Sequence, residues 1–352
     1  MPAPRDNTAF SAISNKELIF PLPLAVVTQI TAHPTQLVTL DSIQAARSRI
    51  APYIRQTPVV QAIAIKQPIP AVDQLFLKLE CLQVTGAFKA RGALNKLRSL
   101  PEAKIKRGIV TASGGNHGLA VAYAGWIAGV PTTIYLGENT PPIKAERLRQ
   151  WGAEVVIEGA VWDDANRAAL ALAERDGIAY FHPFADPEVI AGQGTISLEV
   201  LEAIPEVDTL IVAIGGGGLI SGVSTAAKAL KPNIKVVGVE PVGAPTLRAS
   251  VQSGQVTELA AITSLANTLA PRKTEEINFK LVSQHVDDIV LVSDEQMRQA
   301  ARWLWFEMGV AAELSGAASV AALLSGQYRP AAGERVCALV CGAGTDGMDS
   351  PA

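Results

Sequence analysis

Three short stretches carry residue types that could do chemistry together. Thr85-Gly86-Ala87-Phe88-Lys89-Ala90-Arg91-Gly92 sets a lysine behind an aromatic ring, where a loop enters a helix. A lone lysine there is ordinarily a solvated side chain. Held in a confined apolar site, the same amine sheds its proton and becomes a nucleophile and base able to form a Schiff base. Ile214-Gly215-Gly216-Gly217-Gly218-Leu219 follows an apolar strand and precedes a helix. Consecutive glycines let backbone N–H groups turn inward around an anion, beside the positive end of a helix dipole. No G-x-G-x-x-G register fits, because Ile220 or Ser221 falls at the third glycine, and no Gly-Lys-Ser/Thr follows. The loop therefore suits a phosphate better than a dinucleotide. Thr111-Ala112-Ser113-Gly114-Gly115-Asn116-His117-Gly118 again joins a strand end to a helix, and its amides with the Ser and Asn side chains suit a carboxylate. Taken alone, His117 is more often structural than catalytic.

A phosphate cradle, an amine and a carboxylate loop are together what a pyridoxal phosphate enzyme acting on amino acids requires. The sequence resembles the fold-type II pyridoxal phosphate enzymes, and within them the threonine/serine dehydratase and serine racemase group. The resemblance spans residues 38–347. It rests on Thr85–Gly92, Ser113–Gly118, His182-Pro183-Phe184, Val189–Thr195, Gly215–Leu219 and Gly238-Val239-Glu240-Pro241, in matching order and spacing. It implies a two-domain, tryptophan synthase β-like α/β fold and pyridoxal 5'-phosphate as cofactor. Lys89 would form the Schiff base and Phe88 would pack against the cofactor ring. Asn116 would hydrogen-bond the ring's 3-oxygen. Gly215, Gly216, Gly217, Gly218 and the Leu219 amide would hold the phosphate. Ser113, Gly114, Gly115, Asn116 and His117 would line the substrate carboxylate site. Cys341 stands where the family usually places a serine facing the pyridine nitrogen. A neutral thiol is a weak donor there, which suits prompt β-elimination better than transamination.

Four departures from the family pattern bear on the chemistry. Gly114 replaces a serine that in the racemases is the second acid–base group, on the face opposite the lysine, so racemisation is expected to be minor. Ala266-Asn267-Thr268 replaces an Ala-Asp-Gly triplet. Of the family's cation site, Glu240 and Ala244 match, but Thr246 replaces an aspartate, so no metal is expected. Glu313-Leu314-Ser315-Gly316-Ala317 carries Leu314 in place of a proline, and Glu313 is placed near the cofactor or as a helix cap. The expected activity is dehydration of a β-hydroxy amino acid, L-threonine or L-serine, to a 2-keto acid and ammonia. A serine racemase or β-replacement enzyme is the alternative within the fold. A silent binding protein is the alternative outside it, and intact Lys89 with an intact glycine loop argues against it.

The elements that must position these residues are legible. Near-continuous apolar runs predict strands at Gly108–Thr111, Thr132–Leu136, Glu154–Ile157, Thr209–Ile214, Val236–Glu240, Ile289–Val292 and Val336–Val340, the pattern of parallel strands covered on both faces. Helices lie between them, over Pro141–Trp151, Trp162–Arg175, Ile220–Leu230 and Asp294–Met308, with Gly152, Gly177 and Gly309 as stops. The expected organisation is an extension over 1–37, a large cofactor-binding domain from 38–105 and 184–352, and a small domain over 106–183.

The chain has 352 residues, 49% hydrophobic and 18% charged, and a net charge of −3. So apolar a composition excludes disorder. No run of Lys and Arg marks a nucleic-acid or anionic-membrane partner. Cys81, Cys337 and Cys341 cannot all pair, which points to a reducing compartment. Pro21 and Pro23 break the apolar stretch Leu18–Val27, which lacks a basic flank, so a cytoplasmic protein is expected. The partners expected are a small amino-acid substrate and a second copy or more of the chain. With no further segment after the last strand, isoleucine and valine are expected to have no effect on activity.

Overall fold

The structure is a computed structural model that describes residues 38–70 and 72–348; the extension expected over 1–37 lies outside the described residues. Its strands are β1 (Val59–Gln61), β2 (Gln74–Lys78), β3 (Ile109–Ala112), β4 (Thr132–Leu136), β5 (Glu154–Ile157), β6 (Ala179–Tyr180), β7 (Thr209–Ala213), β8 (Lys235–Pro241), β9 (Asp288–Val292) and β10 (Arg335–Leu339). They form two sheets, ordered β1-β2-β10-β7-β8-β9 and β5-β4-β3-β6. β1 pairs antiparallel with β2, and every other ladder is parallel. This is the α/β architecture expected, with helices covering both sheets. β3 and β7 are buried at every position, which is why they read as unbroken apolar runs.

Helix ends follow local chemistry. Ser293 caps the helix Asp294–Met308: its Oγ accepts the Gln296 N–H at 3.2 Å, and the Gln296 side chain accepts the Ser293 N–H at 2.7 Å. The helix then stops at left-handed Gly309. Among the described residues, no helix is long and apolar enough to cross a membrane.

Two helices fix the segment that bears Lys89. Helix Pro187–Ala203 runs through the core, and the Val189–Thr195 motif is buried within it. A Cβ on Gly192 would lie 2.6 Å from the Arg91 carbonyl oxygen and the Gly92 Cα, so this helix meets helix Lys89–Ser99 backbone to backbone. The motif that helped to mark the resemblance is thus a packing device. Beside the contact, fully buried Arg91 donates to both oxygens of Glu80, at 2.8 and 2.8 Å, and of Glu199, at 2.6 and 2.8 Å. Buried Lys78 pairs with Glu199 and donates to the Thr57 carbonyl at 2.7 Å. Two cations against two carboxylates leave this quartet neutral. Removing any one member would strand an unpaired buried charge, at a cost of about 3–5 kcal/mol.

Candidate active site

Four segments converge at the C-terminal ends of the parallel strands: the start of helix Lys89–Ser99, the loop after β3, the loop after β7 and the chain after β10. In an open α/β sheet this edge is where ligands bind. Ala87 bridges to Gly342, the Phe88 N–H donates to the Cys341 carbonyl at 3.3 Å, and the Ala343 N–H donates to the Gly86 carbonyl at 2.8 Å. Thr85, just upstream, has φ +64, which is strained for a β-branched residue and is held by this pairing.

The Lys89 Nζ donates to the Pro183 carbonyl at 2.6 Å and stands 5.2 Å from the centre of the Phe88 ring. Lys89 keeps some accessible surface, yet the surrounding protein strips enough water from the ammonium to bring its pKa down to about 8. Pro183 belongs to the His182-Pro183-Phe184 motif. Its role here is played by a backbone carbonyl, which no residue type in the sequence announces.

The glycine loop is shaped by what presses on it. A Cβ on Gly216 would collide with the Phe184 ring. Gly217 has φ +98, and a Cβ there would lie 2.6 Å from Leu247 Cδ1 and 3.0 Å from Asn278 Cβ. The Thr274 hydroxyl donates to the Gly216 carbonyl at 2.9 Å. Among the described residues, none accepts a hydrogen bond from the N–H groups of Gly215 to Leu219. Five consecutive donors at the start of helix Gly218–Leu230 thus remain for a ligand.

The loop after β3 lies beside it. Gly115 approaches Thr268 Cγ2, and Gly215 approaches the Thr268 carbonyl, each from its own side: an added Cβ would stand 3.7 and 2.8 Å away. Ser113 Oγ accepts the Gly115 N–H at 3.3 Å. Asn116 Nδ2 donates to Glu313 at 2.7 Å, Ser315 Oγ donates to the same oxygen at 2.5 Å, and Thr268 Oγ1 donates to Ser315 at 2.6 Å. Burial raises the Glu313 carboxyl above its usual range against the pull of Ser315 and Asn116. Cys341 is buried, its Sγ donates to the Ser315 carbonyl at 3.4 Å, and burial pushes its thiol well up, so it stays neutral. The His117 imidazole does not join this group. It is buried, its Nε2 lies 3.1 Å from the Phe181 carbonyl, and desolvation holds the ring neutral. What His117 offers at the helix start is its backbone N–H.

Glu240, Ala244 and Thr246 lie behind the glycine loop, and their oxygens already have protein partners. Thr268, Pro183, Phe184, Thr274 and Asn278 contribute to the site without having been singled out individually; only the His182-Pro183-Phe184 and Ala266–Thr268 stretches drew attention to two of these places.

The model of the family described as "Pyridoxal-phosphate dependent enzyme" matches residues 50–342. The chain belongs to this family. It is 39% identical over 310 residues to an L-threonine ammonia-lyase of Thermotoga maritima, covering 88% of this chain and 76% of that one. It is 38% identical over 290 residues to a serine racemase of Oryza sativa subsp. indica, covering 82% and 85%. The structure of maize serine racemase superposes with a TM-score of 0.83 at 36% identity, over 88% of this chain and 94% of that one. The enzyme depends on pyridoxal phosphate, and the residues fit that cofactor. The loop after β7 offers five unclaimed amide donors around a space that side chains would fill. An amine with a lowered pKa stands one residue from an aromatic ring, and its acceptor Pro183 adjoins the Phe184 that packs on Gly216.

Proposed function

We propose that this pyridoxal phosphate enzyme is an ammonia-lyase that eliminates water from a β-hydroxy amino acid, L-threonine or L-serine, to give the 2-keto acid and ammonia. One observation carries the reading: a single readily deprotonated amine, Lys89, serves a carboxylate loop whose residue Gly114 has no side chain to act as a second acid. When bound, pyridoxal phosphate supplies the electron sink that acidifies the hydrogen on the substrate's α-carbon.

Lys89 binds the cofactor through Nζ and, as a free amine, takes the α-proton. Phe88 would pack against the ring, and Asn116 would bond the ring's 3-oxygen. The amides of Gly215, Gly216, Gly217, Gly218 and Leu219 hold the phosphate. Ser113, Gly114, Gly115, Asn116 and the His117 backbone receive the substrate carboxylate. Cys341 would face the pyridine nitrogen, where its neutral thiol would not hold a proton as a carboxylate does, which favours prompt elimination. The smaller sheet, β5-β4-β3-β6, is the core of a small domain over 106–183, and the larger sheet that of the cofactor-binding domain. Three free, buried cysteines support a reducing, cytoplasmic setting, and a homodimer is the assembly proposed.

The test is keto-acid release across a panel of β-hydroxy amino acids, with chiral analysis of L-serine incubations. Pyruvate or 2-oxobutyrate in clear excess over D-amino acid is expected. D-serine forming as fast as pyruvate would overturn the reading.

A further inference from the structure

Glu240 is the penultimate residue of β8 and has no accessible surface. Its Oε1 accepts the N–H of Leu247 at 2.7 Å, and its Oε2 accepts that of Arg248 at 2.9 Å. Both amides belong to the first turn of helix Thr246–Ser253. A carboxylate so placed satisfies two donors that a helix start leaves open and faces the positive end of the dipole. The neighbouring oxygens are engaged as well. The Ala244 carbonyl accepts the Thr246 N–H at 3.0 Å, and the Thr246 hydroxyl donates to the Pro271 carbonyl at 2.7 Å. A divalent cation needs six or more oxygens turned towards one point, and these three groups are turned to the helix and the 271 loop instead. They do not fit the cation that the family resemblance implies.

Helix Thr246–Ser253 has a second contact that gives the cap a consequence. Leu247, whose amide Glu240 holds, sets its Cδ1 2.6 Å from where a Cβ on Gly217 would stand. It is one wall of the glycine cradle. The other wall is Asn278, which donates to the Phe184 carbonyl at 3.1 Å and to Ser221 Oγ at 3.3 Å.

We propose that Glu240 is a positioning residue for the cofactor's phosphate, fixing the cradle through Leu247 and making a cation unnecessary there. The proposal rests on the reading that Gly215 to Leu219 hold the phosphate. Burial pushes the Glu240 carboxyl up to about 7 while the two amides pull it down, so measurements belong above that value.

The experiment strips the cofactor from the protein and titrates pyridoxal phosphate back, following tryptophan fluorescence. It compares the unaltered chain with Glu240→Gln, Glu240→Ala, Leu247→Ala and Gly216→Val. A lost buried charge-assisted bond gives the scale: Glu240→Ala weakens cofactor binding about tenfold or more, and Glu240→Gln by less. Leu247→Ala keeps the capping carboxylate and removes only the link, so it remains informative if the Glu240 variants fail to fold; a severalfold loss is expected. The KM for the amino acid at saturating cofactor stays unchanged, and neither a chelator nor added magnesium or calcium alters cofactor affinity. Undiminished affinity in Glu240→Ala or Leu247→Ala, with Gly216→Val weakened, overturns the role of Glu240. A chelator that weakens binding to the unaltered chain overturns the independence from a cation. Undiminished affinity in Gly216→Val overturns the phosphate reading itself.

Discussion

The loop after β3 and the loop after β7 both leave the C-terminal end of a parallel strand, run through glycines and enter a helix, yet they are built on different terms. Around Gly215–Gly218 backbone shape is dictated from outside, by the Thr268 carbonyl, the Phe184 ring, Leu247 and Asn278, and a side chain at Gly215, Gly216 or Gly217 would collide. Around Ser113–Asn116 side chains add to the constraint: Asn116 is tied to Glu313, Ser113 to an amide, and although Gly114 is pressed by Thr140, a Cβ on Gly115 would find only ordinary contact with Thr268. Both loops leave strands buried throughout, so the difference lies in the loops themselves. The difference matches two tasks. On the proposed reading the phosphate is held by fixed amides alone, whereas the substrate carboxylate is met by amides together with the Ser113 and Asn116 side chains.

The strongest break in the comparison is Lys89→Ala, which leaves both loops intact and removes the reaction between them. Turnover should fall by about 10³-fold or more, since one amine serves as both nucleophile and base. A borohydride-reducible cofactor linkage persisting in this variant would show that another lysine does the work. The same amine sets a pH dependence. Desolvation lowers Lys89 to about 8, so its neutral, nucleophilic form dominates above that value and falls about tenfold per unit below it. Capture of cofactor by the stripped protein should quicken as pH rises through about 8 and then level off. Stopped-flow absorbance reads this, and a rate still climbing above pH 10 would contradict the lowered value.

Replacing one hydrogen by a methyl group in each loop sharpens the contrast. Gly216→Ala drives a Cβ into the Phe184 ring, an overpacking of about 1–3 kcal/mol that should weaken cofactor binding roughly tenfold and leave the KM for the amino acid unchanged at saturating cofactor. Gly115→Ala should do the reverse: unaltered cofactor affinity and a KM raised a few-fold, because its Cβ has room but stands in the carboxylate loop. If both variants act on the same constant, the two loops do not divide the work.

How much of this was legible in the sequence follows from the same division. The glycine loop stood out as a glycine run at a strand–helix joint, and Lys89 as an amine behind an aromatic ring, and the structure brings the two to the same edge of the sheets. Seven strands were readable as near-continuous apolar runs: β3 and β7 are buried on both faces and have no polar side to interrupt them, while the edge strands β5 and β9 kept an apolar run though only partly buried. β2 escaped because it ends in Lys78, a residue that reads as exposed until Glu199, far along the chain, is brought to it. β6 is two residues long and carries no pattern. Within the site, the contributions of Pro183, Thr268 and Leu247 are a carbonyl, a methyl and an aliphatic tip, which acquire meaning only through contact. The His117 imidazole went the other way: a residue type suited to chemistry is turned to the Phe181 carbonyl.

The smallest effect expected concerns Gly114. On the proposed reading elimination needs only Lys89, on one face of the substrate, so Gly114→Ser should leave keto-acid formation within a few-fold. Racemisation needs a proton delivered to the opposite face, and a positioned acid is worth about 10²–10⁴-fold when its geometry is right. Gly114 does not adopt a left-handed φ, so backbone strain does not oppose the serine. The obstacle is steric: an added Cβ would stand 2.9 Å from Thr140 Cγ2 and 3.3 Å from Leu136 Cδ2. Thr140 is partly exposed and can yield, Leu136 is buried and cannot, so the substitution should cost about 1 kcal/mol, read as a small fall in Tm. The new hydroxyl should raise the ratio of D-serine to pyruvate modestly in Gly114→Ser, and further when Thr140→Ala makes room. A ratio that stays fixed in the double variant, with Tm recovered, would mean that this position does not face the substrate, and that the carboxylate loop anchors the amino acid without deciding what happens to its α-carbon.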